Sequence, residues 1–273
     1  MGHQRLGKIP KSKPFQHVVG LISGAVGSSG VGVGVGTSIV DDVETIAAAT
    51  LIAAEEGLNR ARHDSGLCDT FYLLTQMVLA ARDDQNWRQR FSELGISLSK
   101  DAGMFELTSA LQSAIQDRQD ERGEYSDISE MARKAAVDAV NSLAGPHAAT
   151  LFGTGPEELR DAVKRLSTKK GFAELGRTFF GGLLKQYLNF FICKETPNAV
   201  RVGRLNGVEG LQDFESALDR HCYQSAKIVQ DFCGDWYSKT EWRERIDPSN
   251  TSRAVAFAIE KLQRELAHQR GDA

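Results

Sequence analysis

Cysteine is sparse in this chain. Its four thiols, Cys68, Cys193, Cys222 and Cys233, never form a C-x-x-C pair. That excludes a dense disulfide framework and the usual zinc-site spacing, and it fits a reducing cytoplasm. A basic excess is missing too. Thirty-three Lys and Arg stand against 36 Asp and Glu, for a net charge of −3, so nothing global recommends nucleic acid as a partner. No A-x-A site follows the apolar N-terminal run, as a secretory signal would require. Leu6 stands where N-myristoylation wants Ser or Thr. There is no fixed-period repeat and no motif that implies a cofactor.

What is there begins with glycine. From His17 to Val40 the chain reads HVVGLISGAVGSSGVGVGVGTSIV, with glycine at 20, 24, 27, 30, 32, 34 and 36. A phosphate loop fails on its own residues: Gly27-Ser-Ser-Gly-Val-Gly32 supplies the glycines, but Val33 replaces the phosphate lysine and Gly34 the metal-binding hydroxyl. Val35 likewise breaks the dinucleotide-binding register. A membrane reading is better supplied. The run has the length of a spanning helix, with Arg5, Lys8, Lys11 and Lys13 before it and Asp41, Asp42 and Glu44 after it. Its glycines argue against a stable span, each interior one costing about 1 kcal/mol relative to Ala. As a helix it would place Gly20, Gly24 and Gly27 on one face, open to close approach by a second helix. The third reading is a plain connector.

The rest of the chain is patterned for helices. Residues 1–16 form a basic tail and 17–40 the glycine segment. Residues 41–144 make an N-terminal helical lobe and 156–273 a C-terminal one, or both make a single domain. Val43, Ile46, Ala47, Thr50, Leu51, Ala54 and Leu58 mark one long helix ending near Arg62. Phe71, Leu74, Met77, Val78 and Ala81 mark a second; Trp87, Phe91 and Leu94 a short third; Met104, Leu107, Leu111 and Ile115 a fourth. Asp127-x-x-Glu130 resembles a capping box for the next helix, which Gly145-Pro146 should end. Pro156-Glu157-Glu158 opens another. Residues 171–193 then carry two adjacent apolar stripes, the first through Phe179 and the second through Phe180, with Gly181-Gly182 as a spot for close approach. A short strand or hairpin is expected around Asn206-Gly207. A long helix through Leu218 and Phe232 and a last one from Ser249 or Thr251 complete the chain. The expected class is all-α, an irregular bundle of about eight helices.

Candidate sites are few. His63-Asp64 resembles the His-Asp pair of metal-dependent phosphohydrolases, but such sites need more ligands, and neither His17 nor Asp138 is recommended by its setting. A polar turn is the favoured reading of the pair. His221-Cys222 supplies a Cys/His combination, although Cys222 lies on an apolar stripe as an inert buried thiol would. Trp236, Tyr237 and Trp242 mix with basic residues as partner-gripping surfaces do, or else close a core. Arg160, Lys164, Lys169 and Lys170 lead directly into the apolar segment holding Phe179 and Phe180, the combination interfacial membrane segments use. A central core helix has the same pattern. The leading expectation is a non-enzymatic interaction protein of the cytoplasm, binding a protein partner or itself and working at or near an anionic membrane surface. The alternatives are a soluble helical enzyme at His63-Asp64 or His221-Cys222, and a soluble adaptor without lipid contact. No metal, cofactor or nucleic acid is expected.

Overall fold

A helix apolar over most of its circumference must be surrounded, and residues 171–193 are. The computed structural model describes residues 12–23, 40, 42–123, 125–148, 155–205, 207–243 and 245–268. In chain order its helices are α1 (Lys13–Ser23), α2 (Val43–Ala53), α3 (Glu55–Ala61), α4 (Ser65–Ala80), α5 (Trp87–Glu93), α6 (Met104–Arg122) and α7 (Asp127–Ala148). They continue with α8 (Pro156–Arg165), α9 (Lys169–Ile192), α10 (Thr196–Arg201), α11 (Gly207–Ser225), α12 (Lys227–Arg243) and α13 (Pro248–His268). The described residues are all-helical and contain no strand.

α9 is the axis. α12, α7, α11 and α2 all pack on it, while α4 bridges α7 and α13 on the far side. Phe179 and Phe180 are both 0% exposed. Phe71 of α4 sits among them, its ring centroid 5.3 Å from Phe179, 5.2 Å from Phe180 and 5.8 Å from Phe172. Tyr237 of α12 stacks on Phe172 at 4.2 Å. Burying one such ring contributes about 1.5–3 kcal/mol. The buried apolar side chains run as one cluster from α1 to α13.

Two glycines set how closely α9 and α12 meet. A Cβ on Gly176 would stand 2.6 Å from the Cβ and Sγ of Cys233, and one on Gly234 would stand 2.9 Å from the Cβ of Ala173. The Gly181-Gly182 pair serves looser contacts: their Cβ positions lie 3.3 Å from Tyr223 Cα and 3.4 Å from Ala135 Cβ respectively. Close approach therefore happens one to two turns earlier than the doubled glycine suggests.

The thirteen helices among the described residues exceed the expected eight because several expected long helices are broken or followed by short ones. The predicted 41–62 helix breaks at Ala54, whose carbonyl accepts the Tyr187 hydroxyl; a side chain reaching into the helical ladder is a known cause of kinks. Its inward face is nonetheless as read, Val43, Ile46, Ala47, Thr50, Leu51, Ala54 and Leu58 all being buried. The long helix near Cys222 turns at Ala226 into α11 and α12. Of the expected hairpin no strand occurs among the described residues: Thr196–Arg201 is helical, Gly203 turns the chain at φ +76°, and Asn206 lies outside them. α7 runs past Gly145-Pro146 to Ala148, one turn beyond the expected end, with Pro146 inside the helix.

The caps also move. At α7 the reciprocal pair is Ser126 and Ser129, each backbone N–H donating to the other's hydroxyl at 3.1 and 2.9 Å, and not Asp127 with Glu130. At α13 it is Asp247 and Asn250, at 3.1 and 2.8 Å.

Gly20 is buried in α1, which packs on α2 and α10. Gly24 and Gly27 lie outside the described residues. Arg204 clamps the flanks of that stretch, donating to the Leu21 carbonyl and pairing with Asp42.

Gly176→Ala should destabilise the protein by about 1–3 kcal/mol, the usual cost of overpacking. Gly182→Ala should be neutral or mildly stabilising, since its contact is ordinary and Ala favours helix. Equal melting temperatures for the two variants would contradict the close approach at Gly176.

Candidate functional site

Trp236, Tyr237 and Trp242 share α12, but the helix period sends them different ways. Trp242 lies roughly 140° around the helix from Tyr237. Tyr237 is 1% exposed and stacked in the core, and Trp236 is half-buried with its ring 6.0 Å from Phe71. Trp242, by contrast, is 89% exposed.

Trp242 stands on the wall of an open groove of about 700 Å³, between the ends of α4 and α12 and the start of α5. Four arginines line it, Arg82, Arg90, Arg243 and Arg245, with two acids, Asp83 and Glu241. The acids are both engaged. Glu241 pairs with Arg82, and Asp83 with Arg90 at 2.9 Å. Backbone N–H groups of Asn86 and Gln85, with Arg90 beside them, hold the Asp83 carboxyl below the usual range. Arg243 and Arg245 are exposed and have no ion pair among the described residues. The floor is fixed: Ile246 is buried, and its carbonyl accepts the Gln76 side-chain amide at 3.3 Å, tying the α12–α13 link to α4. The groove thus offers a large apolar ring beside two guanidinium forks that have no ion pair among the described residues.

The other candidates are dispersed. Asp64 is a structural acid. Its Oδ1 caps α4 by accepting the Leu67 N–H at 2.8 Å, and its Oδ2 accepts the Ser126 hydroxyl at 2.5 Å, tying α4 to the start of α7. His63 beside it is exposed, as are His17 and Asp138 on α1 and α7. Cys222 is fully buried, and burial pushes its thiol far above the ordinary range, so it is no thiolate at neutral pH. No group of three or more His, Cys, Asp or Glu side chains that could hold a metal occurs among the described residues.

The basic face before α9 is largely neutralised from within. Arg160 pairs with Asp161 at 2.7 Å, Glu157 at 3.1 Å and Asp84 at 3.4 Å. Lys164 meets Asp84 at 2.6 Å and Lys169 meets Asp235 at 2.5 Å. Lys170 alone of the four has no ion pair among the described residues. Phe179 and Phe180, with Gly181 and Gly182 beside them, face core neighbours, so lipid contact there would require α9 to leave its bundle. Among the described residues no helix is long and apolar enough to cross a membrane.

Sequence reading missed Arg82, Arg90 and Asp83, because the fold brings them to Trp242 from about 150 positions away. Only the exposed Trp and its neighbours Arg243 and Arg245 were local signals.

His221 yields a pH prediction. Burial holds its imidazole below the ordinary histidine range, with Glu44 across from α2 pulling the other way. The unfolded chain therefore takes up that proton more readily. This contribution to stability is complete above about pH 6.5 and is lost as pH falls from there through the depressed value. His221→Gln should flatten the melting temperature against pH below 6.5 relative to the parent; parallel curves would contradict it.

No protein-family model matches the chain, and neither a curated protein nor a solved structure matches it.

Proposed function

We propose that this is a non-enzymatic helical interaction protein, an adaptor that grips an acidic segment of a protein partner through Trp242 and the arginines around it. One observation carries the reading: a tryptophan 89% exposed on a groove whose two lining acids are already paired, with Arg243 and Arg245 making no ion pair among the described residues. Trp and Arg are the residues that dominate binding energy at protein interfaces. An arginine fork takes a carboxylate through two parallel hydrogen bonds. Left in water, the indole forgoes the roughly 1.5–3 kcal/mol that burying a large apolar side chain contributes. A partner that covers it recovers that term.

The remaining features favour the soluble form of this function. Three of the four cations before α9 are spent on internal acids, and the aromatic stripes of α9 are buried, so lipid contact is no part of the proposal. Four free thiols support a cytoplasmic setting. Cys222 and Cys233, buried with thiols pushed far up, argue for a binding protein and against a cysteine enzyme.

The test is a titration of the full-length chain with a synthetic peptide of glutamates and leucines, read by isothermal titration calorimetry. Binding should weaken with added salt, as surface charges are screened within about 8–10 Å. Trp242→Ala and the double variant R243E/R245E should each weaken it tenfold or more without lowering the melting temperature. A single-stranded oligonucleotide and anionic vesicles run alongside as competitors. Preference for either competitor, or peptide binding by both variants as tight as the parent's, would overturn the reading.

A further inference from the structure

On the opposite end of α4 lies a second polar cleft, of about 450 Å³, formed where the α3–α4 turn, the end of α6 and the start of α13 converge. Each of these contributes one arginine: Arg62 from the turn, Arg122 as the last residue of α6, and Arg253 from the second turn of α13. The exposed imidazole of His63 and the hydroxyls of Ser65 and Ser249 join them, while the Ser252 hydroxyl donates to the Pro248 carbonyl at 2.9 Å. The one carboxylate in the lining is Asp69, and it is held by Arg122 Nε at 2.8 Å. Three guanidinium groups against a single, already paired acid is a local excess of positive charge on a chain that is negative overall.

We propose that this cleft binds a phosphate group, as carried by a small phosphomonoester. The helix starts themselves are not the attraction. Asp64 caps α4, and Asp247 with Asn250 caps α13, so those N–H groups are satisfied within the chain. The guanidinium groups carry the charge complementarity. Arg122 spends Nε on Asp69, and Arg62 spends Nε at 3.0 Å and Nη2 at 2.5 Å on Gln263 Oε1; these contacts fix both side chains while leaving Nη1–H donors on each. Arg253 is exposed and has no ion pair among the described residues. Planar arginine forks bind phosphate oxygens in pairs, and serine hydroxyls supply the neutral donors that commonly complete such sites. The volume exceeds that of a bare oxyanion and falls within the range of small-molecule pockets, roughly 300–1,000 Å³. That leaves room for an organic portion.

Hydrolysis is not part of the proposal. Asp64 is committed to its cap, and Cys68, on the wall of the cleft, has its thiol raised first by burial. A protonated thiol is a poor nucleophile.

The test uses the full chain and inorganic phosphate, titrated by calorimetry and thermal shift against chloride at matched ionic strength. Ribose 5-phosphate and vesicles containing phosphatidylinositol phosphate form two further arms, for soluble and lipid-borne sources. Saturable binding of phosphate, at least tenfold weaker in Arg253→Ala, is expected. Arg253→Ala should melt with the parent, since Arg253 makes no ion pair. Arg253→Lys should restore part of the affinity. The stronger of the two further arms names the source. Trp242→Ala should bind phosphate unchanged, so failure at the groove and failure here are read separately. No saturable phosphate binding, or binding indifferent to Arg253→Ala, would overturn the site.

Discussion

Everything in this molecule is arranged so that both apolar stripes of α9 are covered at once. No single neighbour can cover a helix that is apolar over most of its circumference, so α12, α7, α11 and α2 share the task. The contact with α12 is tight enough to require glycine at 176 and 234. Dispersion between close-packed atoms falls off quickly with separation, and a gap of even 0.5–1 Å forfeits a quarter or more of it. The two glycines therefore gain packing over a long crossing at the cost of weaker local helix propensity. Phe71 extends the same cluster to α4, and through α4 the core reaches the helices that bear the two basic clefts.

That arrangement determines where binding can occur. Where helix ends and connecting turns converge, side chains from distant parts of the chain meet solvent together. Both clefts sit at such ends: one at the C-terminal end of α4 with Trp242, the other at its N-terminal end with Arg62, Arg122 and Arg253. α4 itself, largely buried, is the rigid rod that fixes their separation. Most ion pairs here are exposed and individually weak, worth about 0–1 kcal/mol. What they do is remove acids from the clefts. Glu241, Asp83 and Asp69 are each held by an arginine, and the cations without such partners set the local sign.

The helical class was legible because 3.6-residue spacing is a local property, and the inward positions of α2 and α9 are those the spacing marks. Helix number was less legible. The break at Ala54 depends on Tyr187, which is 133 residues away, and caps such as Ser126–Ser129 compete with equally plausible neighbours. At the candidate sites the sequence exposed only what is contiguous. Trp242, Arg243 and Arg245 stand together in the chain, whereas Arg82 and Arg90 join them only through the fold. Beside His63 in sequence Asp64 is a cap at the helix break, whereas its neighbours in space are arginines brought in by α6 and α13, which spacing does not reveal. Spacing could not separate a core helix from an interfacial one at 171–193, since both show the same apolar circumference. The internal pairing of Arg160, Lys164 and Lys169 favours the core reading.

The claim on which the rest depends is that α9 is closed inside the bundle and that partners are met at the ends of α4. Amide hydrogen exchange followed by mass spectrometry tests it most directly, on the full chain with and without anionic vesicles. Peptides covering residues 172–192 should be among the slowest to exchange, opening only with global unfolding, and vesicles should leave them unchanged. Fast exchange across α9 in the free protein, or a change there on adding vesicles, would contradict that claim.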